Sequence, residues 1–140
     1  LDDVTVNASY GYTNATFRHY NDGHYDYRGK RVPYAPSHTL FGELNWRISP
    51  LAFKGVTPSV SATARCVGDI YWNEANTVSQ PFYCLPSLAV TLNSDHWSLR
   101  LWADNITATR YDVFYFVSIG NAFVQRGLPR LFGATLRVRI

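Results

Sequence analysis

The sequence is poor in charge, in lysine and in sulfur. Methionine is absent, cysteine occurs twice, and charged residues make up 16% of the 140 residues. The two lysines are Lys30 and Lys54, and the other basic residues are arginines scattered along the chain. Domains that bind nucleic acid usually cluster lysine and arginine on one face, so we expect no nucleic acid among the partners.

Long hydrophobic runs are missing as well. A membrane-spanning helix needs roughly 20 consecutive apolar residues, and the longest comparable run, residues 113–117, has the length of a strand. The chain starts at Leu1 without a methionine or a signal peptide, which indicates a piece of a longer precursor. If the chain crosses a membrane, it must do so as part of a closed barrel, because only helices and closed barrels satisfy every backbone group in lipid.

Aromatic residues, in contrast, are abundant, with ten tyrosines, eight phenylalanines and four tryptophans. Low charge together with many tyrosines and tryptophans indicates a surface that meets something other than bulk water. A β-rich soluble binding protein has the same composition. Composition alone therefore leaves both classes of protein open.

Apolar and polar residues alternate with period two through most of the chain, which is typical of half-buried strands. Seven segments show this pattern or are apolar throughout: residues 4–17, 38–48, 57–72, 82–93, 96–105, 112–119 and 132–140. Their lengths suit tilted strands that cross a bilayer. The pattern predicts an all-β fold, an antiparallel up-and-down transmembrane β-barrel segment of about seven strands. A soluble sandwich or lipocalin-like barrel, with the apolar face inward, is the alternative.

Tryptophan placement favours the membrane barrel. Trp46 and Trp97 lie on the apolar faces of their segments, and an up-and-down chain brings both to the same end of the sheet. Trp72 lies near the opposite end, again on the apolar face. Indole rings prefer the boundary between membrane and water, so this placement predicts two aromatic girdles around a face that contacts lipid.

Five short motifs follow one another in an order that is more specific than any one of them. They are GYTNA at residues 11–15, GKRVPYAPSHTL at 29–40, RCVGDIY with NEANT at 65–77, LWADNITATRY at 101–111 and GLPRLFGATL at 127–136. Together they resemble the strands and turns at the C-terminal end of TonB-dependent outer-membrane receptors. One departure is the terminal Ile140, where outer-membrane barrels usually end in an aromatic residue.

The resemblance implies a barrel of about 22 strands with a separate N-terminal plug. Residues 1–140 would be the C-terminal barrel strands, without the plug domain and the TonB box. The implied location is the bacterial outer membrane. The implied partners are outer-membrane lipid, the preceding barrel strands and plug of the same chain, TonB through the missing N-terminal region, and a nutrient ligand.

The implied function is active uptake of a scarce nutrient, such as a metal chelate, cobalamin or an oligosaccharide, with energy from TonB. The alternative is a free-standing small β-barrel that binds a hydrophobic ligand or serves as a structural outer-membrane protein. The resemblance also implies a periplasmic chain end. Counting seven alternating strands back from that end places residues 20–37, 73–81 and 105–111 on the periplasmic side, and residues 49–56, 93–95 and 120–130 outside.

No catalytic group of residues stands out. The histidines are dispersed along the chain, at His19, His24, His38 and His96. Serine is plentiful, but none occupies the G-x-S-x-G turn that exposes a nucleophile in hydrolases. We therefore expect no enzyme, no catalytic residue, no cofactor and no metal site.

The two cysteines carry a sharper hypothesis. Folding the third segment against the fourth brings Cys66 and Cys84 nearly opposite one another, on the same face. The periplasm is oxidising, so a cross-strand disulfide is an option. We favour two buried thiols that act as small apolar residues, because the geometry of a strand pair strains such a bridge.

The polar face and the outward loops supply the remaining candidates. Arg100, Arg137 and Arg139 are expected to contact carboxylates of the missing plug, although they could instead be solvated charges of the barrel lumen or attract an anionic substrate. In the loop before the last strand, Phe123, Gln125 and Arg126 are candidate contacts of a nutrient, because binding residues concentrate on loops of rigid scaffolds, although most loop residues carry no function.

Overall fold

The computed structural model describes residues 3–139, and strands dominate this range. The elements are β1 (Val4–Tyr12), β2 (His38–Arg47), β3 (Thr57–Val67), β4 (Ile70–Tyr71), β5 (Ser79–Gln80), β6 (Tyr83–Asn93), β7 (Trp97–Asp104), β8 (Asp112–Ser118), β9 (Asn121–Arg126) and β10 (Leu131–Val138), with one short 3-10 turn at Ser49–Leu51. None of the described residues belongs to a helix of the length and hydropathy that membrane crossing requires.

Six strands form one antiparallel sheet in the order β1-β2-β3-β6-β7-β10. Two further pairs, β4 with β5 and β8 with β9, are hairpins outside this sheet. The predicted all-β, up-and-down architecture is therefore confirmed. The strand count of the sheet differs, because β8, which covers the sixth predicted segment, pairs with β9 instead of joining the sheet.

The two ends of the sheet carry connections of very different length. At one end, named here the long-segment end, lie the three segments of residues 13–37, 68–82 and 105–130. At the other, the short-turn end, lie the connections of residues 48–56 and 94–96 and the final residue of β10, Val138. The register fixes these ends, because Tyr12 pairs with His38 and Asp104 pairs with Leu131.

This geometry corrects the predicted sides of the loops. Residues 20–37, 73–81 and 105–111 were expected at the same end as the chain terminus, but they lie at the opposite end. The reason is parity. Because β7 pairs directly with β10, counting β8 as a barrel strand inverts the direction of every strand before it.

The register also gathers the apolar residues on one side of the sheet, named here the apolar face. Directly paired residues of antiparallel strands share a face, and one continuous row reads Val6, Leu44, Ala62, Leu88, Ala103 and Phe132. The opposite side, the polar face, has a matching row of Asn7, Glu43, Thr63 and Ser87. The alternation in the sequence thus becomes a sheet with two chemically distinct sides.

The apolar face is exposed and does not form a core. Val6 is 66% exposed and Phe132 is 71% exposed, and Leu44, Val90 and Leu136 are exposed as well. Among the residues whose burial the structure describes, few hydrophobic ones are buried: Cys66, Val67, Ile70, Trp72 and Ala89. A soluble sandwich would bury its apolar side, so the arrangement favours a face made for lipid.

The tryptophans follow the predicted girdles in part. Trp46 and Trp97 lie near the short-turn ends of β2 and β7 on the apolar face, as predicted. The prediction for Trp72 was wrong, because β3 ends at Val67 and Trp72 is 6% exposed inside a small cluster at the long-segment end. At that end Tyr10, Tyr12 and Phe132 are exposed aromatic residues of the apolar face.

Candidate functional site

Tyr34 joins all three long segments at the long-segment end. Its backbone nitrogen donates to the carbonyl oxygen of Tyr71 over 2.9 Å, and its ring lies 5.2 Å from that of Trp72. Its hydroxyl donates to the carbonyl oxygen of Tyr115. Tyr34 holds a φ of 62°, a conformation that is uncommon outside glycine and persists only where the surroundings enforce it.

A second joint ties residues 13–37 to residues 68–82. The side-chain amide of Asn76 accepts from the backbone nitrogen of Arg31 at 2.7 Å and donates to the carbonyl oxygen of Arg31 at 2.9 Å. These are the two hydrogen bonds that a neighbouring strand would supply. Asn76 has a φ of 57°, which asparagine tolerates better than most residues, so the residue type suits both tasks.

Further contacts dock residues 105–130 on the same assembly. Gln80, which is 7% exposed, accepts from the backbone nitrogen of Asp112 at 2.8 Å. The rings of Tyr83 and Tyr111 stack with centroids 4.6 Å apart. Together with the contacts of Tyr34 and Asn76, they make the three segments one connected cap at this end of the sheet.

An aromatic ladder crosses this cap; the name denotes the rings of Tyr34, Phe114, Phe116 and Phe123. The centroid distances along it are 5.7, 5.7 and 4.9 Å. All four side chains are exposed. Exposed rings that already contact one another present a continuous surface on which a planar ligand can stack.

The predicted loop residues divide between two places. Phe123 belongs to the aromatic ladder and stacks on Phe116. Gln125 pairs with Phe114 in the β8–β9 hairpin, while Arg126 lines a separate cavity with Arg110 and Arg130. Sequence reasoning missed Tyr34, Phe114 and Phe116. The available signal was that the sixth segment is apolar on both faces, unlike the alternating barrel strands.

The predicted arginines lie at the other end. Arg100 pairs with Thr91 and Thr135, and Arg137 pairs with Ser98, so both belong to the polar face near the short-turn end. The backbone nitrogen of Arg139, just after β10, donates to the carbonyl oxygen of His96. Across residues 3–139 the one ion pair is Arg28 with Asp26, so no described carboxylate occupies these arginines. Contact with a plug stays a prediction.

The two cysteines are joined. Cys66 and Cys84 are direct partners in the β3–β6 register, with Cα atoms 4.1 Å apart, and the structure bonds their sulfur atoms. The structure thus differs from the two free thiols that the argument from strain favours. The bond closes the base of residues 68–82, the segment that carries Asn76 and Gln80.

A hydrogen bond between Asp22 and Tyr27 shifts the pKa values of both groups in the cap. Asp22 accepts hydrogen bonds from the backbone nitrogens of Tyr25 and His24 and from the hydroxyl of Tyr27, which lower the pKa of its carboxyl. The same hydroxyl bond raises the pKa of Tyr27 to about 12. Over the described range no three His, Cys, Asp or Glu side chains are grouped to hold a metal ion.

Comparison with known proteins shows the family to which the chain belongs. Residues 2–106 match the family described as TonB dependent receptor-like, beta-barrel. The ferric yersiniabactin uptake receptor FyuA from Yersinia pestis has a TM-score of 0.72 at 20% identity, over 80% of this chain and 17% of that one. The ferric preacinetobactin receptor BauA from Acinetobacter baumannii has a TM-score of 0.78 at 18% identity, over 97% of this chain and 20% of that one.

The siderophore receptor PiuA from Acinetobacter baumannii has a TM-score of 0.74 at 17% identity, over 97% of this chain and 19% of that one. The chain thus spans about a fifth or less of the length of these structures. At these identities the likeness shows the fold, while the family match covers most of the chain. The chain therefore belongs to the TonB-dependent receptor β-barrels, a family of proteins of the bacterial outer membrane.

Proposed function

We propose that these residues are the C-terminal barrel strands of a longer receptor, whose preceding strands and plug come from the same protein. The support is the open sheet, in which β1 and β10 each have one edge that no strand within residues 3–139 pairs with. An unpaired edge in lipid leaves backbone groups without hydrogen-bond partners, so both edges need further strands. A barrel of about 22 strands would supply them.

The receptor takes up a scarce nutrient across the outer membrane with energy from TonB. The long-segment end faces outward and the short-turn end faces the periplasm, since outer-membrane barrels have short periplasmic turns and longer extracellular loops. The observation that carries the proposal is the aromatic ladder. It places four exposed rings, each in contact with the next, on segments that reach outward from a membrane-facing sheet.

The nutrient is a ferric chelate. Two of the structural neighbours are named for ferric yersiniabactin and ferric preacinetobactin, and the third is called a siderophore receptor. The aromatic ladder suits a chelate with planar aromatic groups, because ring pairs gain about 0.5 to 1.5 kcal/mol beyond the area they bury. Cobalamin and an oligosaccharide are the competing cargoes that an experiment must separate.

The test uses the full-length receptor in a strain that lacks its own copy and makes no siderophore. Uptake of radioactive iron from a ferric phenolate chelate is compared with uptake of labelled cobalamin and of a labelled maltodextrin, in the presence and absence of TonB. We expect TonB-dependent uptake of the iron chelate. Uptake of cobalamin or the maltodextrin in place of iron would refute the ferric assignment. Iron uptake that is equal in the presence and absence of TonB would refute active import.

A pair of variants tests the site. Phe116→Ala with Phe123→Ala removes two adjoining rings of the aromatic ladder and should weaken binding of the chelate about tenfold, from two lost ring contacts. Phe53→Ala is the matched control, because Phe53 is an exposed phenylalanine at the short-turn end. An equal loss of chelate binding in the double variant and in the Phe53→Ala control would show that the aromatic ladder is not the binding site.

A further inference from the structure

A cavity of about 560 Å³ lies where residues 105–130 leave β7 and return to β10. Its lining comes from the two stems of that segment, residues 108–111 and 126–130, together with Phe132. The stems are held together by Asn105, whose side-chain amide donates to the carbonyl oxygens of Thr109 and Leu128. The cavity is thus framed by backbone on both sides.

Three arginines line this cavity, Arg110, Arg126 and Arg130, and none of its described lining residues is acidic. Over residues 3–139 no carboxylate lies within ion-pair distance of any of the three. Three positively charged residues that line one cavity repel one another, and a bound anion would offset that repulsion. Because only 16% of the residues in this chain are charged, three arginines around one cavity are an unusual accumulation of positive charge.

The cavity lies beside the apolar face. The guanidinium carbon of Arg130 is 5.7 Å from the centroid of the Phe132 ring, and Phe132 belongs to the row that begins at Val6. A guanidinium nitrogen of Arg130 donates to the carbonyl oxygen of Ile106 over 3.4 Å. Phe132 and Ile106 are exposed and line a common apolar hollow with Leu88 and Leu101. Positive charge therefore borders the lipid-facing surface at the end of the strands.

We propose that this cavity binds the phosphate monoester head group of an outer-leaflet lipid, with the lipid chains along Phe132 and Leu101. Arginine suits a phosphate because its planar fork donates two parallel hydrogen bonds to two oxygens. A soluble anion would gain nothing from the exposed Phe132 and Ile106, whereas a lipid covers both. The inference rests on the proposed function only in taking the chain as part of a full-length receptor with the long-segment end outward.

The experiment measures lipid retained by the purified full-length receptor, by native mass spectrometry in micelles doped with dioleoyl phosphatidic acid or dioleoyl phosphatidylcholine. We expect preferential retention of phosphatidic acid. Arg110→Gln with Arg130→Gln should lower that retention at least about tenfold, through lost hydrogen bonds to a charged group. Arg18→Gln with Arg28→Gln removes the same charge from exposed positions of residues 13–37 and should leave retention unchanged.

Three results would overturn the inference. Equal retention of the two lipids by the wild-type receptor would exclude a site for a phosphate monoester, because the phosphate of phosphatidylcholine is a diester. Equal loss in the control variant would reduce the effect to net charge. Inorganic phosphate that displaces phosphatidic acid completely at millimolar concentration would assign the cavity to a soluble anion. Iron uptake is measured separately, in cells that express the same variants. Failed lipid binding with intact uptake therefore rejects this site and leaves the proposed function standing.

Discussion

Gly133 of β10 lies directly opposite Trp102 of β7, and the indole ring covers the glycine so closely that a Cβ there would overlap it. Both residues belong to the polar face, next to the pair of Thr135 with Arg100. The ring thus fills the space that a side chain would otherwise occupy, which is how aromatic residues compensate for glycine in a strand. At this pair, the packing of β10 against β7 therefore requires a residue without a side chain.

Gly133→Ala is therefore expected to destabilise the barrel by about 1 to 3 kcal/mol, the usual cost of overpacking. The measurement is the thermal unfolding midpoint of the full-length receptor in detergent. Gly42→Ala is the matched control, because a Cβ at Gly42 meets no atom within 4 Å in a strand of the same sheet. An unchanged midpoint in Gly133→Ala would show that the indole moves aside without cost.

The Asp22–Tyr27 pair predicts a specific pH dependence in the cap. The hydrogen bond raises the pKa of Tyr27 from 10.0 to about 12, so its contribution to local order is complete below pH 10 and is lost as the pH rises through 12. The pKa of Asp22 is lowered, so the stabilisation by its carboxylate is lost toward acid pH instead of toward alkaline pH. Its contribution is present above the pKa of the unfolded chain and is lost as the pH falls through the lower folded value.

Ultraviolet titration of tyrosine can resolve the effect. The difference between the wild-type receptor and Tyr27→Phe should be one phenol with a midpoint of about 12. Asp22→Asn removes the carboxylate acceptor and should return that midpoint toward 10. A difference curve that already centres on 10 in the wild-type receptor would mean that the Asp22–Tyr27 bond is absent in solution.

The Cys66–Cys84 bond should be present in receptor purified from the outer membrane. Alkylation in denaturant is expected to label neither cysteine without reductant and both after reduction, as read by peptide mass spectrometry. Cys66→Ser with Cys84→Ser should make residues 68–82 more susceptible to protease, because a disulfide that closes a short loop stabilises by about 2 to 4 kcal/mol. Labelling of both cysteines without reductant would restore the free-thiol interpretation.

Much of the sheet was predictable because the two faces meet different surroundings. Strict alternation, as in Leu99, Leu101 and Ala103, fixes which residues share a side, and a register shift by one would move apolar groups into the lumen. Alternation likewise placed Trp46 and Trp97 on the apolar face, and the up-and-down order of the strands brought both to one end of the sheet. Strands that separate lipid from water are therefore well specified by their sequence.

The cap was not predictable in the same way. β8 is apolar on both faces because Phe114 and Phe116 form the aromatic ladder while Tyr115 packs against the small buried cluster. The local sequence shows that this strand is apolar on both faces but does not show which strand pairs with it, and counting it as a barrel strand inverted the sides of the loops. The contact of Tyr34 with Tyr115 spans 81 residues. Such pairings depend on the finished fold.

Charge reversal at Arg137 tests the proposed plug contact. Arg137 lies on the polar face at the short-turn end, with Arg100 on the neighbouring strand and Arg139 just beyond. If plug carboxylates face these arginines, Arg137→Glu replaces an attraction by a repulsion and leaves the plug carboxylate unpaired. We expect the plug to become accessible to protease added from the periplasmic side, with reduced uptake.

Arg18→Glu is the control for that experiment, because it makes the same charge change on an exposed residue of residues 13–37, at the opposite end of the sheet. A compensating variant sharpens the test. If a plug carboxylate is the partner, changing that residue to lysine should restore uptake in Arg137→Glu and impair it in the wild-type background. Retention of the plug and full uptake in Arg137→Glu would assign the arginines to solvated charges of the lumen, because a desolvated ion pair does not survive reversal of one partner.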